Sequence, residues 1–465
     1  MSAVMNLPRL VRPMISAAGL ITVALVVAVM PPAGLPAADA RAGALVIGTI
    51  GLWVSGLVAE SVTALIFFTI AMLARVAPPE VVFSGLVSSA FWLIFSGLVL
   101  GAAIKRSGLG DRIAARLAGL LGWTYRGAVI GVVLFGLAMA FLMPSAMGRI
   151  ALMLPILSAL ALHLGHAKGS RGYNGLVLGG VFGTFLPSSA ILPANVPNNV
   201  LAGMVETTIG QPLAFGDYLL VHFPVLGLIK TLVLIGVLLA LYKSDHQITV
   251  PRDIASVQPW SAAERRLALL LGVALAFWAS DAWHHISPAW VGMAAAVICL
   301  LPPAGLLPPK ALQSINLEPV FYVGGIISLG AVVAHAGLGQ RLAMWALDVL
   351  ALAPDRPLTS FLNLCGLSTL VGLLTTLPGV PAVMTPLTSA FATAGGLSTA
   401  AVLMAQVVGF STVILPYQAP PLVMAIQVGD LPRAEMNKLC LITAVITILG
   451  LWPLDILWLH LLGRV

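Results

Sequence analysis

Apolar runs of near-spanning length recur from Met14 to Leu462, with only brief polar gaps between them. At a rise of about 1.5 Å per residue, a helix needs about 20 mostly apolar residues to cross the hydrocarbon core of a bilayer. The pattern therefore predicts an all-α polytopic membrane protein with about 11 transmembrane helices. The most polar interruption, "YKSDHQITVPRDIASVQPWSAAERR", divides the chain into halves. It ends in a predicted capping box, formed by Ser261 and Glu264, which starts the next helix.

The first apolar run, from Met14 to Met30, has two readings. Arg9 and Arg12 precede it and "PPAGLPAADA" follows it, which resembles a cleavable secretory signal. Because the run is long enough to span and more spans follow, we favour a retained first helix. This interpretation places the N-terminus in the cytoplasm and the protein in a bacterial inner membrane.

The two halves carry similar landmarks in the same order. "FWLIFSGLVLGAAIKRSGLGDRIAARL" is followed in the second half by "VFYVGGIISLGAVVAHAGLGQRLAMWAL", and "SSAILPANVPNNV" by "STVILPYQAPPLV". The first pair aligns Gly108, Gly110 and Arg112 with Gly337, Gly339 and Arg341. Matching landmarks in one order predict an internal duplication.

Charge predicts that the two copies lie in opposite orientations. Around the first Gly-Leu-Gly segment, basic residues exceed acidic ones, namely Lys105, Arg106, Arg112, Arg116 and Arg126 against Asp111. Around the second they balance, namely Arg341 and Arg356 against Asp348 and Asp355. Since basic loops stay in the cytoplasm, we expect an inverted repeat, the plan of many secondary transporters. The predicted units are an N-terminal helix and loop (1–42), a first repeat (43–242), a cytoplasmic linker (243–266) and a second repeat (267–465).

Each half contains two predicted breaks. Re-entrant hairpins are expected at about 127–165 and 357–399, interrupted by "MPSAMGR" and "TTLPGVPAV". Broken helices are expected at about 174–208 and 400–428, where "LPANVP" and "LPYQAP" each bring two prolines together and unwind the helix. Freed peptide groups inside a bilayer cost several kcal/mol unless protein or a water-lined cavity receives them. The matched breaks therefore predict a site near the membrane midplane, with ordinary proline kinks as the alternative.

Composition narrows the class of function. The chain is 60% apolar and 8% charged, far from the roughly 45 to 50% and about 25% of soluble proteins. The net charge of +7 lies in short loops, so topology explains it and no nucleic-acid partner is expected. Cys299, Cys365 and Cys440 lie singly, which indicates neither a disulfide framework nor a metal cluster. No catalytic motif stands out, so we expect neither an enzyme nor an organic cofactor.

Taken together, these features resemble the divalent anion:sodium symporter family, which transports dicarboxylates, citrate and sulfate. The resemblance covers nearly the whole chain. It implies a homodimer in the lipid bilayer that works as an elevator, with separate scaffold and transport domains, a small anionic substrate and sodium as a possible coupling ion. Members carry Ser-Asn-Thr at each hairpin tip and Thr-Pro-Pro or a similar sequence in each unwound loop.

Carried over residue by residue, the resemblance is incomplete. Anchoring on Pro155 and Pro386 places the tips on residues 145–147 and 376–378, where both family asparagines are missing. In the loops the prolines match, but Val196 or Ala419 replaces the family threonine. The implied substrate-binding residues are Ser145, Ala146, Met147, Arg149, Asn195, Pro197, Thr376, Leu377, Pro378, Gln418, Ala419 and Pro420. The implied cation-binding residues are Ser145, Gly148, Ser188, Ser189, Asn199, Thr375, Thr376, Gly379, Ser411 and Thr412.

Three residues suggest replacements for the missing contacts. Arg149, one turn beyond Ser145, could supply a fixed positive charge for the anion, or it could pair with an acid such as Glu60 or reach the cytoplasmic surface. Asn195 and Gln418 occupy matching positions, where their amides could contact substrate or satisfy freed backbone groups.

We therefore predict a secondary active transporter of small anions of the dicarboxylate or sulfate class, coupled to sodium or protons and working by alternating access. The alternatives are a cation-independent anion exchanger and a membrane protein that does not transport, such as an embedded enzyme or a channel.

Overall fold

A computed structural model gives the fold as a set of packed helices. It describes residues 36–55, 57–109, 124–143, 145–210, 212–243, 259–284, 286–337, 350–429 and 431–464, together with Gly19, Thr22, Ala24, Val26 and Arg112. Within these ranges the chain is helical and contains no β-strand, as the hydrophobic pattern predicts. Most of the predicted first helix, the linker residues 244–258, and Gly110, Asp111, Arg116, Gly339, Arg341 and Asp348 lie outside the described residues.

The described part of the first half contains nine main helices. They are α1 (Ala37–Ser55), α2 (Glu60–Leu73), α3 (Ser89–Ser107), α4 (Tyr125–Leu142), α5 (Ala146–His163), α6 (Arg171–Phe185), α7 (Val196–Ile209), α8 (Phe215–His222) and α9 (Lys230–Leu241). Short helical turns cover Pro79–Val82 and Ser84–Val87, and 3₁₀ turns at Leu186–Ala190 and Leu192–Ala194 separate α6 from α7. A π-helical turn, Phe223–Ile229, joins α8 to α9.

The second half follows a similar order. Its main helices are α10 (Ala262–Ala279), α11 (Pro288–Leu300), α12 (Glu318–His335), α13 (Pro357–Leu374), α14 (Gly379–Met384), α15 (Thr388–Gly395), α16 (Thr399–Phe410), α17 (Pro420–Val428), α18 (Arg433–Ile446) and α19 (Trp452–Leu461). Short turns cover Asp281–His284, Pro302–Ala304, Ala311–Ser314, Thr385–Leu387 and Pro416–Gln418, and a π-helical turn, Thr447–Leu451, joins α18 to α19. The capping box predicted at Ser261 and Glu264 is present at the start of α10.

Four helical segments of the described chain are long and apolar enough to cross a membrane. They are Ser89–Ser107, Tyr125–Leu142, Phe215–Leu241 and Arg433–Leu461. A further apolar segment, Gly379–Gly395, meets Thr399–Phe410 at a bend of 118°. Shorter apolar helices account for much of the rest, so the count of about 11 spans and the boundaries of the repeats stay predictions.

The helices that precede the two unwound loops are the most enclosed elements. In α6 every residue from Gly172 to Phe185 is buried, and in α16 every residue from Ala401 to Phe410 is buried. Gly136 of α4 lets α6 approach closely, since a Cβ there would lie 2.5 Å from the Thr184 nitrogen. A helix buried on all sides belongs to the protein core, so both unwound loops begin inside the molecule.

Buried side chains of the described residues fall into one large cluster and three smaller ones. The large cluster joins α4–α9 of the first half to α13–α19 of the second. The smaller clusters involve α1, α2, α3, α7, α10, α11 and α12. The two halves are therefore interlocked through the same core.

Candidate functional site

The hairpin tips and the unwound loops of both halves meet at one cavity of about 360 Å³. Residues of the predicted substrate site line it, namely Ser145, Ala146, Met147, Asn195, Pro197, Leu377, Pro378, Ala419 and Pro420, and Asn199 of the predicted cation site joins them. The wall opposite includes Ile94 and Leu98 of α3 and Tyr322 of α12. The cavity thus lies where the large buried cluster faces the smaller ones.

Thr376 lines an adjoining cavity of about 180 Å³ together with Thr375 and Gly379. The two cavities share Glu60 and Tyr322 as wall residues. The second hairpin tip therefore has one side on each cavity.

Several predicted site residues lie behind the cavity walls. Ser189 and Ser411 face a void of about 10 Å³ between the unwound loops, bordered also by Asn195 and Pro197. The walls of the three cavities do not include Gly148, Ser188, Thr412, Gln418 or Arg149. Buried hydroxyls there serve the backbone, since Ser188 Oγ donates to Phe185 O at 2.5 Å and Thr412 Oγ1 to Val408 O at 3.0 Å.

Five of the described helices begin at the main cavity. Three of them start at the first hairpin tip and the two unwound loops, namely α5 at Ala146, α7 at Val196 and α17 at Pro420, and the others are α2 at Glu60 and α12 at Glu318. The helix dipole gives each N-terminus a partial positive charge, and unpaired backbone amides add to it at the start of α5. At the start of α17 the dipole acts alone, because Pro420 and Pro421 have no N–H. Side-chain N-caps stabilise the starts of α5 and α7, because Ser145 Oγ accepts from Gly148 N at 3.1 Å and Asn195 Oδ1 accepts from Asn198 N at 3.0 Å. Converging N-termini suit an anion without any basic side chain.

Arg149 does not reach the cavity, contrary to the hypothesis that its charge faces the anion. It is fully buried, and its guanidinium donates to Thr184 Oγ1 at 2.7 Å, Thr184 O at 3.1 Å, Ala194 O at 2.9 Å and Met143 O. These carbonyls belong to the end of α4, the end of α6 and the unwound loop. The rigid fork of arginine therefore ties the first hairpin tip to the first broken helix.

The amides at the two unwound loops chiefly satisfy freed backbone groups. Gln418 Oε1 accepts from Ile414 N and Leu415 N, both at 2.8 Å, in the same way that Asn195 caps α7. The backbone of the second loop also holds the hairpin tip, since Leu377 N donates to Gln418 O at 2.9 Å. Of the two side chains, only Asn195 also lines the main cavity.

Sequence reasoning missed Asn198, which is fully buried behind the first loop. Its Nδ2 donates to Ser188 O at 3.0 Å and to Ile191 O at 2.9 Å, which are carbonyls freed by the break. The signal was its position directly after Pro197, as the first of two asparagines inside an apolar run.

Two carboxylates stand at the cavity wall. Glu60 begins α2 and Glu318 begins α12, and both side chains are exposed to the cavity or its mouth. The wall residues include no lysine, arginine or histidine. At this wall, helix N-termini therefore supply the positive potential in place of basic side chains, and the two acids place negative charge beside it.

The chain belongs to the family described as "Sodium:sulfate symporter transmembrane region", which matches residues 13–465. This agrees with the resemblance drawn from the sequence.

Named relatives match about half to three quarters of the chain. The chain is 25% identical over 358 residues, 72% of its length, to a protein of Cupriavidus necator named "Membrane protein", of which the match covers 70%. It is 29% identical over 233 residues to the "L-tartrate/succinate antiporter" of Escherichia coli K12, so the match spans 47% of each chain.

Two solved structures share the fold. The Alcanivorax borkumensis YdaH transporter matches with a TM-score of 0.53 at 15% identity, covering 97% of this chain and 98% of that one. MtrF of Neisseria gonorrhoeae, named in a class of antimetabolite efflux pumps, matches with a TM-score of 0.55 at 16% identity, covering 88% and 97%. At these identities the match establishes the fold alone.

Proposed function

We propose that this protein is a secondary transporter of small dicarboxylate anions that works by alternating access. The supporting observation is the cavity of about 360 Å³ at which the hairpin tips and unwound loops of both halves meet. The family supports anion transport, and the name of the Escherichia coli antiporter favours dicarboxylates over sulfate.

The anion contacts follow from the wall residues. One carboxylate would lie at the start of α5 beside Ser145, and the other at the starts of α7 and α17, beside Asn199 and Pro420. Amides at the start of α5 can bind a carboxylate by hydrogen bonding and by charge. The start of α17 can act only through its dipole, because Pro420 and Pro421 have no N–H. The Oδ1 atom of Asn199 is buried and has no hydrogen-bond partner among the described residues. As an acceptor, this oxygen suits a cation or a hydroxyl group of the substrate, whereas a carboxylate would contact the Nδ2 donor of the same amide.

Coupling to a cation, sodium or a proton, is supported by Glu60 and Glu318. These carboxylates place negative charge beside a site for anions, which a co-transported cation would offset. An elevator movement fits the position of the cavity between the large buried cluster and the smaller ones, because that boundary could slide without dividing a core.

Anion exchange without a cation is a second candidate. It is favoured by the antiporter named among the relatives and by the missing tip asparagines at Ala146 and Leu377, which in the family help to frame sodium.

Uptake into proteoliposomes tests these proposals. Labelled succinate and labelled sulfate are supplied outside, with a sodium gradient, with a pH gradient, or with unlabelled anion inside. Saturable succinate uptake that needs a gradient supports coupling, whereas uptake that needs only internal anion supports exchange. Ser145→Ala and Asn199→Ala should weaken uptake, while Leu73→Ala, 81% exposed on the outer surface, should leave it unchanged. Absence of saturable uptake of either anion would overturn the proposal.

A further inference from the structure

A lysine and an aspartate are buried together behind the second unwound loop, away from the anion cavity. Lys230 is 2% exposed and Asp455 is 0% exposed. Each lies just after the π-helical turn in the last long segment of its half, Lys230 at the start of α9 and Asp455 in α19. Ionisable residues at such depth are expensive, and π-helical turns often mark functional sites.

The contacts of the pair are unequal. Lys230 Nζ donates to Ser411 O at 2.5 Å, whereas both carboxylate oxygens of Asp455 lack a hydrogen-bond partner among the described residues. The two charges act on each other, yet no ion pair within 4.0 Å joins them. Asp455 is therefore a buried carboxylate held by attraction alone.

A buried carboxylate without hydrogen-bond donors is costly in its ionised form, because a buried charge that is left unsatisfied costs several kcal/mol. Two species could relieve it, a proton or a metal cation. A hard cation needs several oxygen ligands. The described residues contain no group of three or more His, Cys, Asp or Glu side chains that could hold a metal ion, and the charged side chain that acts on Asp455 is the Lys230 ammonium. A proton needs only one carboxylate oxygen.

We propose that Asp455 is a proton-binding site that couples proton movement to anion transport, with Lys230 as its charge partner. This inference rests on the proposed transport function and names the proton as the coupling cation. Proton uptake forms one O–H bond on Asp455 and takes one proton from water. The pair then changes from neutral to singly positive, and no other bond changes.

The site is connected to the anion cavity through the second loop. Lys230 bonds Ser411 O, and Trp452 Nε1, on the same helix as Asp455, donates to Thr412 Oγ1 at 3.1 Å. These two residues lead into the turn Pro416–Gln418, whose next residues, Ala419 and Pro420, line the cavity. Protonation removes the counter-charge of Lys230, which strengthens its hold on Ser411 and adds positive charge behind an anion site.

Other titratable groups lie on the helices that pack near Asp455. On α8, which packs against α19, Asp217 pairs with Arg464 at the surface and the Tyr218 hydroxyl donates to Ser189 O at 2.8 Å. His222 is buried on the same helix. The groups on elements near Asp455 are thus Lys230, Cys365, Asp217, Tyr218, His222 and, on α19 itself, His460.

Two measurements on the full-length protein test the proposal. Infrared difference spectra recorded against pH should show a protonated-carboxyl band in the wild type that is absent from Asp455→Asn. In proteoliposomes containing a pH-sensitive dye, labelled succinate should move with protons in the wild type. Succinate movement in Asp455→Asn should continue by exchange while proton movement falls to background.

A surface carboxylate variant and a double variant serve as controls for loss of charge and for misfolding. Asp217→Asn removes a surface carboxylate and should retain both proton and succinate movement. If Asp455→Asn fails to elute as a folded protein, the double variant Lys230→Met and Asp455→Asn, which leaves neither charge unpaired, takes its place. Proton movement that survives in these variants would overturn the proposal, as would a pH-dependent carboxyl spectrum that is the same as in the wild type, or a requirement for sodium that Asp455→Asn removes. If the wild type transports neither succinate nor sulfate, the transport function fails, and the infrared band still decides the proton site.

Discussion

Replacing Arg149 should destabilise the fold whether or not the substitute keeps a positive charge. Its guanidinium makes four hydrogen bonds, to Thr184 Oγ1, Thr184 O, Met143 O and Ala194 O. At about 1 kcal/mol each, these sum to about 4 kcal/mol. Each neutral acceptor left buried without a donor costs about 1 to 3 kcal/mol, and this cost is offset in part because the buried charge is removed as well. We therefore expect Arg149→Ala to lower the free energy of unfolding by about 3 to 5 kcal/mol.

Arg149→Lys separates this role from anion binding. A lysine carries three donors on one atom and cannot reach acceptors spread over three chain segments, so most of the loss should remain. Denaturant titration of the purified protein gives the stability, and succinate uptake is measured on the same preparations. Arg356→Ala, at an exposed surface position, is the matched control and should change stability by no more than about 0.5 kcal/mol. Native stability in Arg149→Ala together with abolished uptake would refute the reasoning and restore the anion-ligand hypothesis.

Three further predictions concern how the hairpin, the loop and the linker are held. Gly136→Leu should sharply lower the yield of folded protein in size-exclusion chromatography, because a Cβ at this position lies 2.5 Å from backbone. Gly236→Leu, which has open space around it, should keep the yield. Equal yields would contradict the close crossing of α4 and α6. Asn198→Ala should cost about 2 to 4 kcal/mol in denaturant titration, since two buried carbonyls lose their donor; a change within about 0.5 kcal/mol would argue against it. The guanidinium of Arg112, at 2.7 Å, lowers the pKa of Glu264 to about 2. This pair should therefore stabilise the fold fully above about pH 4.5 and lose that contribution as the pH falls towards 2. Glu264→Gln should remove this dependence, so that the melting temperature changes less with pH in this range.

The paired prolines made the unwound loops predictable, because a missing donor and a blocked turn act locally. The capping box of α10 was likewise a local signal. In these two cases the responsible residues lie within a few positions of the feature they cause. The common site of Ser145, Pro197 and Pro420 was predicted in a different way, from the repeat symmetry, and the cavity brings these residues together.

The parts that sequence reasoning missed depend on where distant segments meet. The role of Arg149 depends on carbonyls of Thr184 and Ala194, which reach it only through the crossing of α4, α5 and α6. Lys230 and Asp455 are far apart in sequence, and neither signals its partner. Hydrophobic pattern fixes which segments are buried, but the pairing of polar groups is set by helix packing, which one sequence does not encode locally.

If both halves form one anion site, a bound anion should protect a cysteine from each half against alkylation. Met147→Cys places a thiol at the first hairpin tip and Pro420→Cys places one at the second unwound loop, both on the main cavity. A shared anion site predicts that succinate slows alkylation of both thiols with the same midpoint concentration. Leu73→Cys on the outer surface is the control and should not be protected. Protection of only one thiol, different midpoints, or no protection of either would contradict a shared site.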